Sequence, residues 1–109
     1  MSPEIQSILQ ELRTALEALY GARLRRLVLY GSHACGEATE ESDIDVMVVL
    51  GGTVHPGEEI RRMGWIRTRL NLEYDQMLSL LPVSEGDYLQ KEVPLLIDVQ
   101  DEIITLLKS

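Results

Sequence analysis

Ser42-Asp43-Ile44-Asp45-Val46-Met47-Val48-Val49-Leu50 is the segment around which the rest of the chain can be arranged. From Val46 onward it is apolar at both parities, the pattern of a strand covered on both faces inside a sheet. Its opening is different. Asp43 and Asp45 are two residues apart, and side chains alternate along a strand, so both carboxylates lean over one face while Ile44 enters the core on the other. Upstream, Leu24 to Tyr30 is short, rich in branched residues and ended by Gly31-Ser32, which reads as a second strand running into a tight turn.

Further out, Ile5, Ile8, Leu9, Leu12, Leu16 and Leu19 recur at helical spacing, with Ser2 as cap, Pro3 in the first turn and Gly21 as terminator. After the loop of Gly51, Gly52, Pro56 and Gly57, a second helix carries Ile60, Met63, Ile66 and Leu70 inward. Tyr74 to Leu81 reads as the third strand. Ser84 followed by Asp87 resembles a capping arrangement for a short helix, which Pro94 ends. Ile103 to Leu107 reads as a last strand or a helical turn. The order predicts one α/β (α+β) domain over residues 1–109, a small mixed β-sheet flanked by helices.

Ten Lys and Arg stand against 18 Asp and Glu, a formal charge of −8. Such a chain repels a phosphate backbone, so direct DNA binding is not expected. A phosphate substrate would need a cation as intermediary. The longest apolar run, Val46 to Leu50, is far short of the roughly 20 residues a spanning helix requires, and no basic-then-apolar leader opens the chain. With Cys35 the single cysteine, no internal disulfide can form. These features lead us to expect a cytoplasmic protein without a membrane partner.

Asp-x-Asp alone is a weak signal, with roughly 0.3 such pairs expected by chance in this composition. Joined to a Gly-Ser turn at one upstream spacing, the chance expectation falls to the order of 0.002. Antiparallel pairing of the first two strands brings both features to one sheet edge. A helical crossover makes the second and third strands parallel and sets their starts together, which places Asp75, with Glu73 as competitor, on the same rim. Paired hard oxygen ligands suit Mg²⁺, which takes further ligands from substrate phosphates, so a nucleoside triphosphate is the natural substrate. Gly31 permits a tight turn close to a phosphate, and Ser32 adds a hydroxyl donor. No Walker A loop occurs, and Asp43-x-Asp45 does not continue as an EF-hand.

Gly31-Ser32, ten residues, then Asp43-x-Asp45 resembles the signature of the DNA polymerase β-like nucleotidyltransferase superfamily, and the short chain is similar to its minimal nucleotidyltransferase (MNT) members. The resemblance runs from the leading helix to Ser84-Glu85-Gly86-Asp87-Tyr88. It implies that Gly31 and Ser32 hold the triphosphate and that Asp43 and Asp45 bind divalent metal. A carboxylate on the third strand, assigned to Asp75, would complete a two-metal site and assist the attacking hydroxyl. His33 stands where many members carry Arg. MNT proteins of this kind resemble the antitoxin half of toxin–antitoxin pairs whose partner is a helical HEPN ribonuclease. The resemblance implies AMP transfer from ATP to a tyrosine of that toxin within a hetero-oligomer. The alternative is a catalytically weak module that neutralises the HEPN partner by complex formation.

Other groups carry less. His33 reads as a loop histidine without a second metal-spaced ligand, and His55, in a Gly/Pro loop, is given no role. Cys35 has no supporting base. The arginines between Arg61 and Arg69 read first as a solvated helix face, and otherwise as contacts for the nucleotide or for an acidic partner.

Overall fold

The computed structural model describes residues 3–31, 33 and 42–90, and the backbone of residues 104–108. Strand β1 (Leu24–Tyr30) pairs antiparallel with β2 (Ile44–Leu50), placing Tyr30 opposite Asp45 and Leu24 opposite Leu50. Strand β3 (Leu78–Ser84) runs parallel to β2 from Ile44 beside Leu78 to Leu50 beside Ser84. Strand β4 (Ile104–Lys108) adds antiparallel to the other side of β1, so the described sheet has the order β3-β2-β1-β4. The mixed α/β class and the interior position of β2 agree with the reading of the sequence, and the C-terminal segment is a strand.

Helix α1 (Pro3–Tyr20) and helix α2 (Pro56–Tyr74) cover one face of the sheet. Ile8, Leu12 and Leu16 of α1 and Met63, Ile66 and Leu70 of α2 pack there against Leu27, Leu29, Ile44, Val46, Val48 and Leu50. The opposite parity of the same strands, Val28, Tyr30, Met47 and Val49, meets Val83 of β3 and Tyr88 of the short helix α3 (Glu85–Gln90). Both faces of β2 are therefore covered, which is why five consecutive apolar residues stand in it. The Asp87 N–H donates to Ser84 Oγ at 3.1 Å, the expected cap of α3.

Two expectations fail here. The segment predicted as a strand from Tyr74 begins as helix: α2 continues through Asn71, Leu72, Glu73 and Tyr74 and closes on Asp75, whose φ of 52° is left-handed. Its N–H donates to the Asn71 carbonyl. Aspartate is among the few residues that tolerate this conformation at a helix end. Asp75 is thus a C-cap, three residues before β3, and Glu73 lies in the last helical turn with Arg69 3.6 Å away.

The second failure is one of helix rotation. Ile60 is half exposed while its neighbour Glu59 is 2% exposed. Glu59 turns inward because partners await it: Tyr20 Oη donates to Oε1 at 2.8 Å, Arg23 lies 3.1 Å from Oε2, and Arg62 lies 3.1 Å from Oε1. Arg23 also donates to the carbonyls of Gly51 and Thr53. One carboxylate thus joins the end of α1, the loop after β2 and the first turn of α2. Burial opposes its charge, but the Tyr20 hydrogen bond and the flanking guanidiniums outweigh burial and hold the carboxyl below its ordinary pKa.

Removing one partner of a buried ionic network leaves the others unsatisfied, so Glu59→Ala should cost about 3 kcal/mol. The measurement is a lower urea midpoint at unchanged slope. Because the carboxyl titrates lower in the fold than in the unfolded chain, its stabilisation is present above about pH 4.3 and is lost on acidification below it. The variant should therefore lose less stability than the parent between neutral and acid pH; equal acid sensitivity contradicts the network.

Candidate active site

The site grows from the end of β1. Its register with β2 puts Tyr30 opposite Asp45, so the next residue, Gly31, turns directly over that carboxylate. Gly31 has a φ of 74°, and a Cβ built on it would stand 2.6 Å from Asp45 Oδ2. Only glycine satisfies both constraints at this position, the left-handed backbone and the absent side chain. The bend and the acidic pair therefore meet.

Asp43 and Asp45 precede and open β2, with Ile44 between them fully buried in the core on the other side. Asp43 is exposed and Asp45 is partly buried. Burial and the neighbouring Asp43 charge push the Asp45 carboxyl above its ordinary pKa, with His33 acting in the opposite sense. Burial and the Asp45 charge push the Tyr30 hydroxyl up to about 12. In its Nε2–H tautomer, His33 donates to the Ser42 carbonyl at 3.3 Å, tying the bend to the approach of β2.

Beside Asp45 on the third strand stands Ser79, in parallel register. No residue of β3 is acidic. The third carboxylate assigned to Asp75 is thus not supplied by that strand, because α2 runs further than its periodicity implied and ends on Asp75 itself. Among the described residues no three His, Cys, Asp or Glu side chains gather as a metal cluster. Ser32, Cys35, Glu37, Glu40 and Glu41 lie outside the described residues. Ser79 was missed by sequence reading; its signal was the β2–β3 register, which no local pattern announces.

The donor set fits a divalent cation. Two carboxylates converge, burial and their mutual repulsion already disfavour the charged form of Asp45, and the Gly31 backbone lies close against it with no side chain between. Mg²⁺ commonly binds through one or two carboxylates and completes its shell with water and substrate phosphate. The arrangement can therefore take a metal-chelated polyphosphate, with backbone at Gly31 able to approach closely.

Residues 9–104 match the family model described as the nucleotidyltransferase domain. A Methanocaldococcus jannaschii protein provisionally named a protein adenylyltransferase is 32% identical over 76 residues, covering 70% of this chain and 76% of that protein. Another protein of the same organism and name class is 41% identical over 44 residues, 40% of this chain, and there the chain spans only 44% of the relative. Among solved structures, a toxin–antitoxin complex with AMP-PNP superposes with a TM-score of 0.61 at 18% identity, covering 99% of this chain and 75% of that one. A complex of tri-AMPylated Shewanella oneidensis HEPN toxin with MNT antitoxin gives 0.53 at 14% identity, covering 94% and 73%. At these identities the structural likeness is one of fold.

Neutralising Asp43 removes the like charge that raises its neighbour. In Asp43→Asn, the Asp45 carboxyl should titrate lower than in the parent, followed by carboxyl ¹³C shifts; an unmoved or higher midpoint contradicts the pairing. Gly31→Ala should destabilise the fold by about 1–2 kcal/mol through its left-handed backbone alone. It should also displace the Asp45 resonance.

Proposed function

This chain belongs to the nucleotidyltransferase domain family, and from that premise we propose that it moves AMP from ATP to a protein hydroxyl, a tyrosine of a HEPN-domain toxin, and so acts as an antitoxin. The observation that carries the reading is the Gly31 bend seated against Asp45, with Asp43 beside it. Support comes also from relatives whose names refer to protein adenylylation and from the fold shared with MNT–HEPN complexes. In this reading the protein works in the cytoplasm; no described helix is long and apolar enough to cross a membrane.

Asp43 and Asp45 would hold Mg²⁺, which when bound neutralises phosphate charge and polarises the α-phosphoryl group. Backbone at Gly31 and the Ser32 hydroxyl take the triphosphate and fix its direction. The acceptor oxygen then forms a bond to the α-phosphorus, the bond to the bridging oxygen breaks, and pyrophosphate departs with its electron pair. The hydroxyl proton passes to solvent, since β3 offers Ser79 rather than a carboxylate beside Asp45. Holding the reactants in line accounts for much of the expected acceleration.

The test is to incubate the chain with a HEPN-domain protein of its own organism, ATP and Mg²⁺, and to weigh the products by mass spectrometry. The partner should gain the mass of AMP on tyrosine, and Asp43→Asn with Asp45→Asn should abolish the gain by at least 100-fold, in line with losing preorganised charge stabilisation. An unlabelled partner held in a tight complex would overturn the transferase reading in favour of neutralisation by occlusion.

A further inference from the structure

Beyond the acidic pair, a groove of about 640 Å³ starts at Asp43 and runs between α2 and the outer edge of β3. Ile60, Gly64, Arg67 and Thr68 form its helical wall, with Met77 and Ser79 on the strand side. Its size lies within the range of pockets that enclose a ligand, and its lining mixes apolar surface with a few polar groups. Ile60 and Met77 are 50% and 51% exposed. On a highly charged protein these side chains leave an apolar strip facing water.

The strand edge is not open along its length. The Ile44 N–H donates to the Met77 carbonyl at 2.8 Å, so Met77 faces β2 and, by strand alternation, Leu78, Leu80 and Pro82 turn their backbone groups outward. Leu78 is already satisfied: its N–H donates to Asn71 Oδ1 at 2.8 Å and its carbonyl accepts from Arg67 Nε at 3.0 Å. Pro82 has no N–H to offer. Of these three, Leu80 alone presents both groups without a partner among the described residues, so the edge there can clasp a single backbone unit rather than a full added strand.

Arg67 is the cation among the groove's lining residues, opposite in sign to Asp43 at its end. Its Nε is used on Leu78, and among the described residues it has no carboxylate partner, whereas Arg13, Arg23, Arg25, Arg62 and Arg69 each have one. A guanidinium left this way matches a carboxylate brought by another chain.

We propose that this groove is the docking site of the acceptor protein, receiving a short segment in which the modified tyrosine is flanked by an acidic residue. The proposal rests on the transferase reading above and names where its acceptor binds. The aromatic ring lies along Ile60 and Met77, its hydroxyl reaches the Asp43 end, the flanking carboxylate meets Arg67, and one backbone unit pairs with Leu80. Transfer then bonds the tyrosine oxygen to the α-phosphorus, releases pyrophosphate and gives the phenolic proton to water.

Gly64 makes the test clean. A Cβ there meets nothing within 4 Å, so the side chain of Gly64→Leu starts from open space on the groove wall and obstructs the groove. Removing a helical glycine should also raise helix stability. Two peptides serve as probes, Glu-Tyr-Glu and Lys-Tyr-Lys in otherwise equal Gly/Ser backbones. Peptide binding is read by fluorescence polarisation without ATP, AMP transfer by mass spectrometry with ATP and Mg²⁺, and ATP affinity by calorimetry.

The parent should bind the acidic peptide at least tenfold more tightly than the basic one and transfer AMP to it with a correspondingly lower KM. Arg67→Glu should reverse the preference, and Gly64→Leu should weaken both peptides tenfold or more while ATP affinity holds. Trp65→Ala, 59% exposed and beside Glu11 and Arg69 in a different depression, should match the parent. Transfer by the parent with Gly64→Leu unchanged overturns the groove and leaves the transferase reading standing. Peptide binding lost in Gly64→Leu, with no transfer by the parent, supports the groove and overturns the transferase reading. Absence of peptide binding, or loss of ATP affinity in Arg67→Glu, also overturns the groove, the latter by assigning that arginine to the nucleotide.

Discussion

The antiparallel register of β1 with β2 is the constraint from which the rest follows, because it sets Tyr30 against Asp45 and drops the next residue onto the carboxylate. A side chain at residue 31 has no place to go, so the bend is a glycine with left-handed backbone. The same register buries Ile44 and leaves Asp43 exposed on the side of Asp45. A slip of one residue would invert all of this, sending the carboxylates into the core formed with α1 and α2. Continuous burial of Val46 to Leu50 on both faces is what makes such a slip costly.

Much of this was readable from the chain because the signals were local. Leu24 to Tyr30 as a strand, Gly31 as its turn, Ser84 as a helix cap and the inward stripe of α1 each rest on a pattern within a few residues, and the structure keeps them. The parallel partner of β2 followed from the helical crossover. What escaped were positions decided by contacts across the fold. Ile60 fits the periodic stripe of α2 better than Glu59 does, yet Tyr20 and Arg23, some forty residues earlier, supply the partners that turn the carboxylate inward.

Asp75 was misplaced for a related reason. Tyr74 and the apolar residues after it have the composition of a strand, and the residue types alone do not say where the helix stops. The helix stops where Asp75 can adopt φ 52° and where Asn71 can serve two masters, its carbonyl accepting from Asp75 and its side chain accepting from Leu78 N–H. That double use of Asn71 delays β3 to Leu78 and moves Ser79, not an acid, next to Asp45. The carboxylate pair is therefore flanked by a hydroxyl on its strand side.

This has a consequence for the charge balance of the site. Among the described residues two carboxylates meet without a third, and each ligand position they leave is one for water or for a substrate oxygen. The cation would then depend more on the nucleotide's phosphates for its coordination, tying metal and nucleotide binding together by linkage. Ser79 also lines the α2–β3 groove, so a phenolic hydroxyl approaching Asp43 along it passes a hydroxyl rather than a strand-borne acid. A strand-borne acid there would repel an acidic flank on the incoming segment, whereas Ser79 and Arg67 together favour it. The geometry of β3 thus links two features that look independent in the sequence, the absence of an acid on that strand and an arginine on the preceding helix that has no carboxylate partner among the described residues.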